Sequence, residues 1–277
     1  MKKIADLHTH TVFSDGSLTP KELIILAKKK KIDVIGITDH DTIDGIEEAI
    51  HYGNKYEIDI VPGLEISTDV DGKEVHLLGY FINYKDEELN KYLQFFRNER
   101  IERARRILKK LEKINIKISI KDILKVAKNS PICRPHIAKV MLEKGFVNNF
   151  FEAFNKYIGD NGPAFERKIH VSPQSAIKII NDSGGLAFLA HPNGINESII
   201  TNLINLGIDG IEVVHSSHKK YQQRFYRGIV NQYCLLESGG SDFHGGMRND
   251  EENFGKYVTS LSVVENIRNM AQTKYVS

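Results

Sequence analysis

Histidines and acids recur along this chain in a pattern that could hold metal ions. They come as Asp6-Leu7-His8-Thr9-His10 with Ser14-Asp15-Gly16 behind it, Thr38-Asp39-His40-Asp41, a lone Glu65, a lone His76, Ala190-His191-Pro192, Val214-His215-Ser216-Ser217-His218, and Gly239-Gly240-Ser241-Asp242-Phe243-His244. Neutral imidazoles and carboxylates suit zinc, manganese or iron, and with only Cys133 and Cys234 the chain lacks the thiolates of a closed structural zinc site. His8 and His10 flank one residue, so on an extended segment both rings point to the same side. His8, His10, Asp15, His40, Glu65, His76, His191, Asp242 and His244 make nine candidate ligands, against four for a tetrahedral zinc. That surplus suits two or three ions sharing a carboxylate, and clustered ions typically act on phosphoryl groups.

Each of these sites follows, or lies on, a short apolar run. Ile4–Leu7, Asp33–Thr38, Asp59–Ser67, Lys73–Ile82, Gly185–Ala190, Gly210–Val214 and Cys234–Ser238 read as strands, about seven in all. Within Asp33–Thr38 the run Val34-Ile35-Gly36-Ile37 is continuously apolar, as a strand covered on both faces should be. Lys73–Ile82 reads as a hairpin partner of the strand before it, closed by an Asp71-Gly72 turn. Between the strands lie helical patterns. One opens at Thr19-Pro20-Lys21-Glu22 with a capping-box signature and runs to Lys30, another covers 43–56, and others begin at Ser172-Pro173, Glu197 and Lys219. Strands alternating with helices predict an α/β fold: a distorted seven-stranded (β/α) barrel, whose strand ends meet at one rim where active sites are built. From 86 to 157 the strand signal vanishes, and Leu89, Leu93, Phe96, Ile101, Ala104, Leu108 and Leu111 mark one stripe of a long helix. Ser119 with Asp122 opens a second capping box, and 121–127 and 134–144 read as further helices. The predicted plan is a barrel begun by 1–85, an all-helical insertion at 86–170, and a barrel completed by 171–277.

Composition narrows the function classes. The 277 residues are 41% hydrophobic and 27% charged with a net charge of +2, which excludes a polycation that coats nucleic acid or membrane by charge alone. No apolar run approaches the length that spans a bilayer, and the first residues break their apolar pattern at Asp6, unlike a secretory signal. With two cysteines, the expectation is a cytoplasmic protein with no membrane contact and no obligate protein partner. Charge is concentrated locally: residues 97–128 carry twelve Lys/Arg against four Asp/Glu, leaving the remainder about −6. That run reads either as a solvated helix face or as a basic lid, including Arg103, Arg105 and Arg106, that draws polyanions to the metal rim.

In order, D-L-H-T-H, S-D-G, T-D-H-D, G-L-E-I-S, H-L-L-G-Y, A-H-P and G-S-D-F-H-G resemble the polymerase and histidinol phosphatase (PHP) family across nearly the whole chain. Arg134-Pro135-His136, Gly162-Pro163-Ala164 and Val214–His218 are similar to one bacterial branch of it, the nucleoside-bisphosphate and mononucleotide phosphatases and short-RNA 5′-exonucleases. The resemblance implies two or three divalent ions, manganese ahead of zinc or iron, in a distorted barrel. It implies that His8, His10, Glu65 and Asp242 hold one ion, Asp15, His40 and His244 a second, and Glu65, His76 and His191 a third. Two positions depart from the branch: Asp15 is histidine in some members, and Asn193-Gly194 stands where many carry a basic residue.

The implied reaction is hydrolysis of a nucleotide phosphomonoester by in-line attack of a metal-bound hydroxide. A small phosphorylated nucleotide (a nucleoside 3′,5′-bisphosphate or 5′-monophosphate) or the 5′ end of short RNA is the expected substrate. Arg134 is the candidate phosphate clamp, because a planar guanidinium matches phosphate with two parallel hydrogen bonds. His215 or His218 would contact phosphate oxygens or protonate the leaving group, and Asp39 and Asp41 would orient His40 between them. The rival readings are a histidinol-phosphate phosphatase and a non-catalytic metal-stabilised module. His51, His136 and His170 read as structural, Lys28–Lys31 as a helix end, and both cysteines as small buried apolar residues.

Overall fold

The computed structural model describes residues 3–274 except 129, 168 and 170, so His170 lies outside the described residues. Eight strands form one mixed sheet: β1 (Ile4–Thr9), β2 (Val34–Ile37), β3 (Asp59–Val70), β4 (Lys73–Tyr80), β5 (Leu186–Leu189), β6 (Gly210–Val214), β7 (Leu236–Gly239) and β8 (Thr259–Ser260), in the order β7-β6-β5-β4-β3-β2-β1-β8. The pairs among β1, β2 and β3 and among β5, β6 and β7 are parallel, whereas β4 runs antiparallel to both neighbours and β8 antiparallel to β1. Beyond β7 the chain continues alongside β1: the Asp242 N–H donates to the His8 carbonyl at 3.0 Å and the His10 N–H to the Phe243 carbonyl at 2.9 Å. These bonds nearly close the sheet into a barrel, and the two-residue β8 pairs with the first residues of β1 on the same edge.

Local chemistry accounts for the elements. Helix α1 (Pro20–Lys30) carries the full capping box, with the Glu22 N–H donating to Thr19 Oγ1 at 3.2 Å and the Thr19 N–H donating to the Glu22 carboxylate at 2.8 Å. Its last turn holds Lys28, Lys29 and Lys30, where the helix dipole favours cations. Helix α2 (Ile46–Tyr56) follows β2. Asp71 (φ 52°) and Gly72 (φ 83°) both take left-handed backbone, the primed turn that the twist of a two-residue hairpin demands.

The chain divides into two compact units, 1–91 with 171–277, and 92–170, so that the first boundary falls inside helix α3 (Glu87–Glu112). The second unit also holds α4 (Ile120–Ala127), capped by Ser119 and Asp122, α5 (Arg134–Glu143), and α6 (Phe150–Ala153), which runs into one π-helical turn at Phe154–Ile158. Its core is its own, built on Ile107, Leu111, Ile123, Ile137, Met141 and Ile158. The first unit also holds α7 (Pro173–Asp182), α8 (Glu197–Asn205), α9 (Lys220–Gln232) and α10 (Leu261–Lys274), of which α7, α9 and α10 pack on the strands. Ala5 and Leu7 pack there with Val264, Ile267 and Ala271 of α10. Neither α10 with β8 nor α6 with its π turn has a counterpart among the expected elements. No helix among the described residues is long and apolar enough to cross a membrane. His51 sets its ring edge-on to Tyr52, and His136 Nδ1 accepts the Cys133 N–H at 3.1 Å as part of the α5 cap. The cysteines depart from expectation: Cys133 is half-buried and Cys234 exposed, the latter at φ 53° just beyond α9, where the turn points it outward.

Candidate metal centre

Strand alternation puts Asp6, His8 and, one step past the strand end, His10 on the same side of β1, and both imidazoles are fully buried. A glycine enforces the placement of His8: a Cβ on Gly240 would lie 2.4 Å from the His8 Cβ and backbone nitrogen. Glu65 comes from the middle of β3, His76 from the neighbouring β4, His40 from the end of β2, and His191 from the end of β5. Two of the loop residues sit on left-handed backbone, His191 at φ 25° and Asp242 at φ 56°, the local strain that sites with over-determined geometry tolerate.

The nine side chains converge. Around Glu65 Oε2 and Asp242 Oδ1 stand His8 Nε2, at 3.3 and 3.4 Å, and His10 Nε2, at 3.3 and 3.1 Å. Asp15 Oδ1 lies 3.2 Å from His244 Nε2, 3.8 Å from His10 Nδ1 and 4.0 Å from His40 Nε2. On the other side of Glu65, Oε1 meets His76 Nδ1 at 2.8 Å and His191 Nε2 at 3.0 Å, while Oε2 meets His40 Nδ1 at 3.2 Å. Glu65 therefore sits between His8 and His10 on one flank and His76 and His191 on the other. Three groups result, each with all its ligand atoms within 4.8 Å of one another: His8, His10, Glu65 and Asp242; His10, Asp15, His40 and His244; and His40, Glu65 and His76.

This donor set fits divalent cations. Donors each about 2.1 Å from one tetrahedral ion stand about 3.4 Å apart, which is the spacing found around Glu65 Oε2 and Asp242 Oδ1. His10 Nε2, His40 Nδ1, His244 Nε2 and Asp15 Oδ1 are buried without a hydrogen-bond partner, although each faces other donors of the cluster. Buried polar atoms as a rule find partners, so four left orphaned within one cluster of imidazoles and carboxylates fit a shared ligand. Electrostatics agrees. Burial works to lower the basicity of His10 and His76, yet the surrounding carboxylates outweigh it and raise them to about 9 and about 10. Burial would raise Glu65 and Asp242, but the imidazoles hold both well below the usual carboxylate range. His40, with burial dominant, is pushed down to about 4 and stays a neutral ligand. Such a cluster demands positive charge at its centre.

The remaining candidates divide. His215 joins the cluster, with Nε2 3.5 Å from Asp242 Oδ2 and Nδ1 accepting the Ser217 N–H at 3.1 Å. His218 is buried beside it, ring centroids 5.4 Å apart, and its Nδ1 donates to the Val213 carbonyl at 2.9 Å. Arg134 belongs to the 92–170 unit, where its guanidinium donates to Asp160 Oδ1 at 2.6 Å and to the Ile158 carbonyl at 3.4 Å. Arg103, read as part of a run that is either a solvated helix face or a basic lid, is buried instead, and its Nε and Nη2 donate to the Glu166 carbonyl at 2.9 and 2.8 Å. Asp39 does not orient His40; its carboxylate accepts from Thr11 N–H at 2.7 Å, Thr11 Oγ1 at 2.6 Å and Ser14 Oγ at 2.6 Å, and Ser14 in turn sits 3.5 Å from His10 Nδ1. Asp41 accepts from the Ser67 N–H at 3.1 Å.

Two residues of the site escape a reading of the sequence. Glu212 on β6 is fully buried, with Oε1 2.9 Å from His8 Nδ1 and Oε2 accepting the His191 N–H at 2.8 Å. It orients two candidate ligands at once, the role carboxylates commonly play behind metal-bound histidines. Arg248 lies at the edge of a cavity of about 290 Å³ whose walls include His40, Glu65, His76, His191, His215 and Asp242, with Asn193 and Ser217 beside them.

Comparison with known proteins is consistent with this site. The PHP domain family matches residues 6–160. The chain is 33% identical to the 5′-3′ exoribonuclease of Haemophilus influenzae over 88% of its own length and 91% of the relative's. It is 30% identical to the 3′,5′-nucleoside bisphosphate phosphatase of Chromobacterium violaceum, covering 86% of each. A solved structure from Bifidobacterium adolescentis, assigned to the metal-dependent phosphoesterases, superposes with a TM-score of 0.81 at 28% identity over 95% of this chain and 94% of that one.

Proposed function

This chain belongs to the PHP family and is a metal-dependent phosphoesterase, and from that premise we propose that it hydrolyses nucleotide phosphomonoesters. The substrate is a nucleoside 3′,5′-bisphosphate or a 5′-monophosphate, extending to the 5′ ends of short RNA. The observation that carries this reading is the convergence of Glu65 with eight other imidazole and carboxylate donors, beside a cavity large enough for a phosphoryl group. Two relatives whose names state nucleotide or RNA substrates support it.

His8, His10, Glu65 and Asp242 would hold one cation, Asp15, His40 and His244 a second, and Glu65, His76 and His191 a third. Bound divalent ions supply Lewis-acid polarisation of phosphoryl oxygens and a lowered pKa for water. Manganese is the proposed metal on the family resemblance, ahead of zinc and iron, which imidazoles and carboxylates without thiolate also suit. Protein groups do the rest. Because the Ser217 N–H donates to His215 Nδ1, the neutral ring carries its proton on Nε2, the atom that faces Asp242. In this reading His215 gives a proton to a leaving oxygen, and that tautomer supports the role. His218 has the opposite tautomer, Nδ1–H on the Val213 carbonyl, so its buried Nε2 is an acceptor and it acts by holding His215 in place. Arg134 is the proposed phosphate clamp. It stands in a group with Arg100 and Arg103, and burial together with these like charges pushes Arg103 down to about 10, the tension an anion would relieve.

The test is a substrate panel with manganese-, zinc- and iron-loaded enzyme: adenosine 3′,5′-bisphosphate, adenosine 5′-monophosphate, a 5′-phosphorylated RNA oligomer and histidinol phosphate. Nucleotide substrates should exceed histidinol phosphate in kcat/KM by at least about a hundredfold, a specificity that contacts to the nucleoside readily supply. A preference for histidinol phosphate, or no turnover of any of them, refutes the reading.

A further inference from the structure

Arg248 is the one arginine or lysine among the described residues lining the cavity, and unlike the imidazoles around it a guanidinium has no lone pair to give a metal ion. It is presented by a tightly knotted loop. Gly245 and Gly246 take φ 74° and 90°, and the Asp250 carboxylate ties the turn by accepting the His244 N–H at 2.5 Å and the Gly246 N–H at 2.8 Å. The loop that delivers His244 to the cluster therefore also delivers Arg248. Its guanidinium is aimed by one carboxylate: Arg248 Nη2 donates to Asp15 Oδ2 at 2.5 Å, while Asp15 Oδ1 faces His244, and Nη1 stands 3.9 Å from Asp242 Oδ2. Asn193, also in the wall, is neutral. Asn193 accepts from Gln222 Nε2 at 2.6 Å and donates to the Ser217 carbonyl at 3.4 Å, and so brings no charge.

Building on the phosphoesterase reading, we propose that Arg248, held at the cavity edge by Asp15, recognises the substrate's phosphate and selects a terminal phosphomonoester over an internal diester. A monoester phosphate has three unesterified oxygens and nearly two negative charges, whereas a diester has two such oxygens and one charge. A planar guanidinium at the edge claims the oxygen that only the monoester has left over, with a charge-assisted bond. A chain end is thereby distinguished from chain interior without any contact to a base.

The experiment compares manganese-loaded wild type, Arg248→Met and Arg248→Lys on p-nitrophenyl phosphate and bis(p-nitrophenyl) phosphate, with metal content and inorganic-phosphate affinity by calorimetry measured on each. Arg248→Met should raise KM for the monoester by about 10- to 100-fold, the worth of a hydrogen bond to a charged group, with kcat nearly unchanged. The diester should lose less than about threefold in kcat/KM, phosphate should bind more weakly by the same factor as the monoester, and Arg248→Lys should fall between. Equal losses on both esters, an unchanged KM and phosphate affinity, or a loss of metal from Arg248→Met would overturn the proposal, the last because Arg248 would then act only on Asp15. Phosphate affinity is read without turnover. It decides about Arg248 even if wild type hydrolyses no nucleotide, the result that sinks the broader reading.

Discussion

At the scale of single residues, the site works because carboxylates are outnumbered by imidazoles and share them. Glu65 touches His8, His10, His40, His76 and His191 through two oxygens. At about pH 7.5, His10 (about 9) and His76 (about 10) carry protons that a cation must displace. Metal binding should therefore release protons, and affinity should rise with pH across the neutral range; calorimetry in buffers of different ionisation enthalpy measures this, and a buffer-independent heat would contradict it. Glu212 supplies a second prediction. Its two oxygens hold the His8 ring and the His191 backbone, so Glu212→Gln should weaken metal binding by roughly 10- to 100-fold while leaving the fold intact by circular dichroism. Unaltered metal affinity would show that the pair is incidental. Glu212 illustrates what the sequence withheld. The nine donors stand out because each is a histidine or acid in a strand-end cluster or opposite one, whereas a lone glutamate within Gly-Ile-Glu-Val-Val reads as an ordinary strand residue until the nearly closed sheet brings Glu212 of β6 to His8 of β1. Arg248 lies beyond the last motif, and Asp39 was readable as a partner of the wrong neighbour because adjacency in sequence is not adjacency across a strand end.

At the scale of elements, glycine decides where strands can approach. Gly240 and Gly72 make contrasting demands. Gly240→Ala would drive a methyl group to 2.4 Å from His8, so the variant should lose metal together with stability. Gly72 has open space around it and only its φ of 83° to defend, so Gly72→Ala should cost about 1 kcal/mol in thermal or urea unfolding and keep its full metal content. If both variants bind metal like wild type, the close approach of Gly240 to β1 does not position His8. Elements with local signals were readable: the Thr19 and Ser119 capping boxes, the Asp71-Gly72 turn, and the apolar β2 all stand where expected. Those that depend on a partner were not. Two residues, Thr259 and Ser260, become a strand only by pairing with β1, and the antiparallel sense of β4 against β5 is decided by a connection 105 residues long that no local pattern encodes.

At the scale of the whole molecule, two compact units have separate cores, and the metal donors all belong to the first. Cations bound there should stabilise that unit, by about 2.7 kcal/mol per site when the metal stands at a hundred times its Kd. Melting followed by calorimetry should show this as a rise of several degrees with manganese and its reversal by chelator; a melting profile indifferent to both would argue against a resident metal. The account's central claim is that distant segments meet around Glu65 to hold several cations at once, and the metal content of the purified, reconstituted chain tests it most directly. Elemental analysis should find about two to three ions per chain in wild type and less than one in Glu65→Ala, the carboxylate shared between groups. A wild-type chain holding no stoichiometric metal, or a Glu65→Ala chain holding as much as wild type, would contradict it.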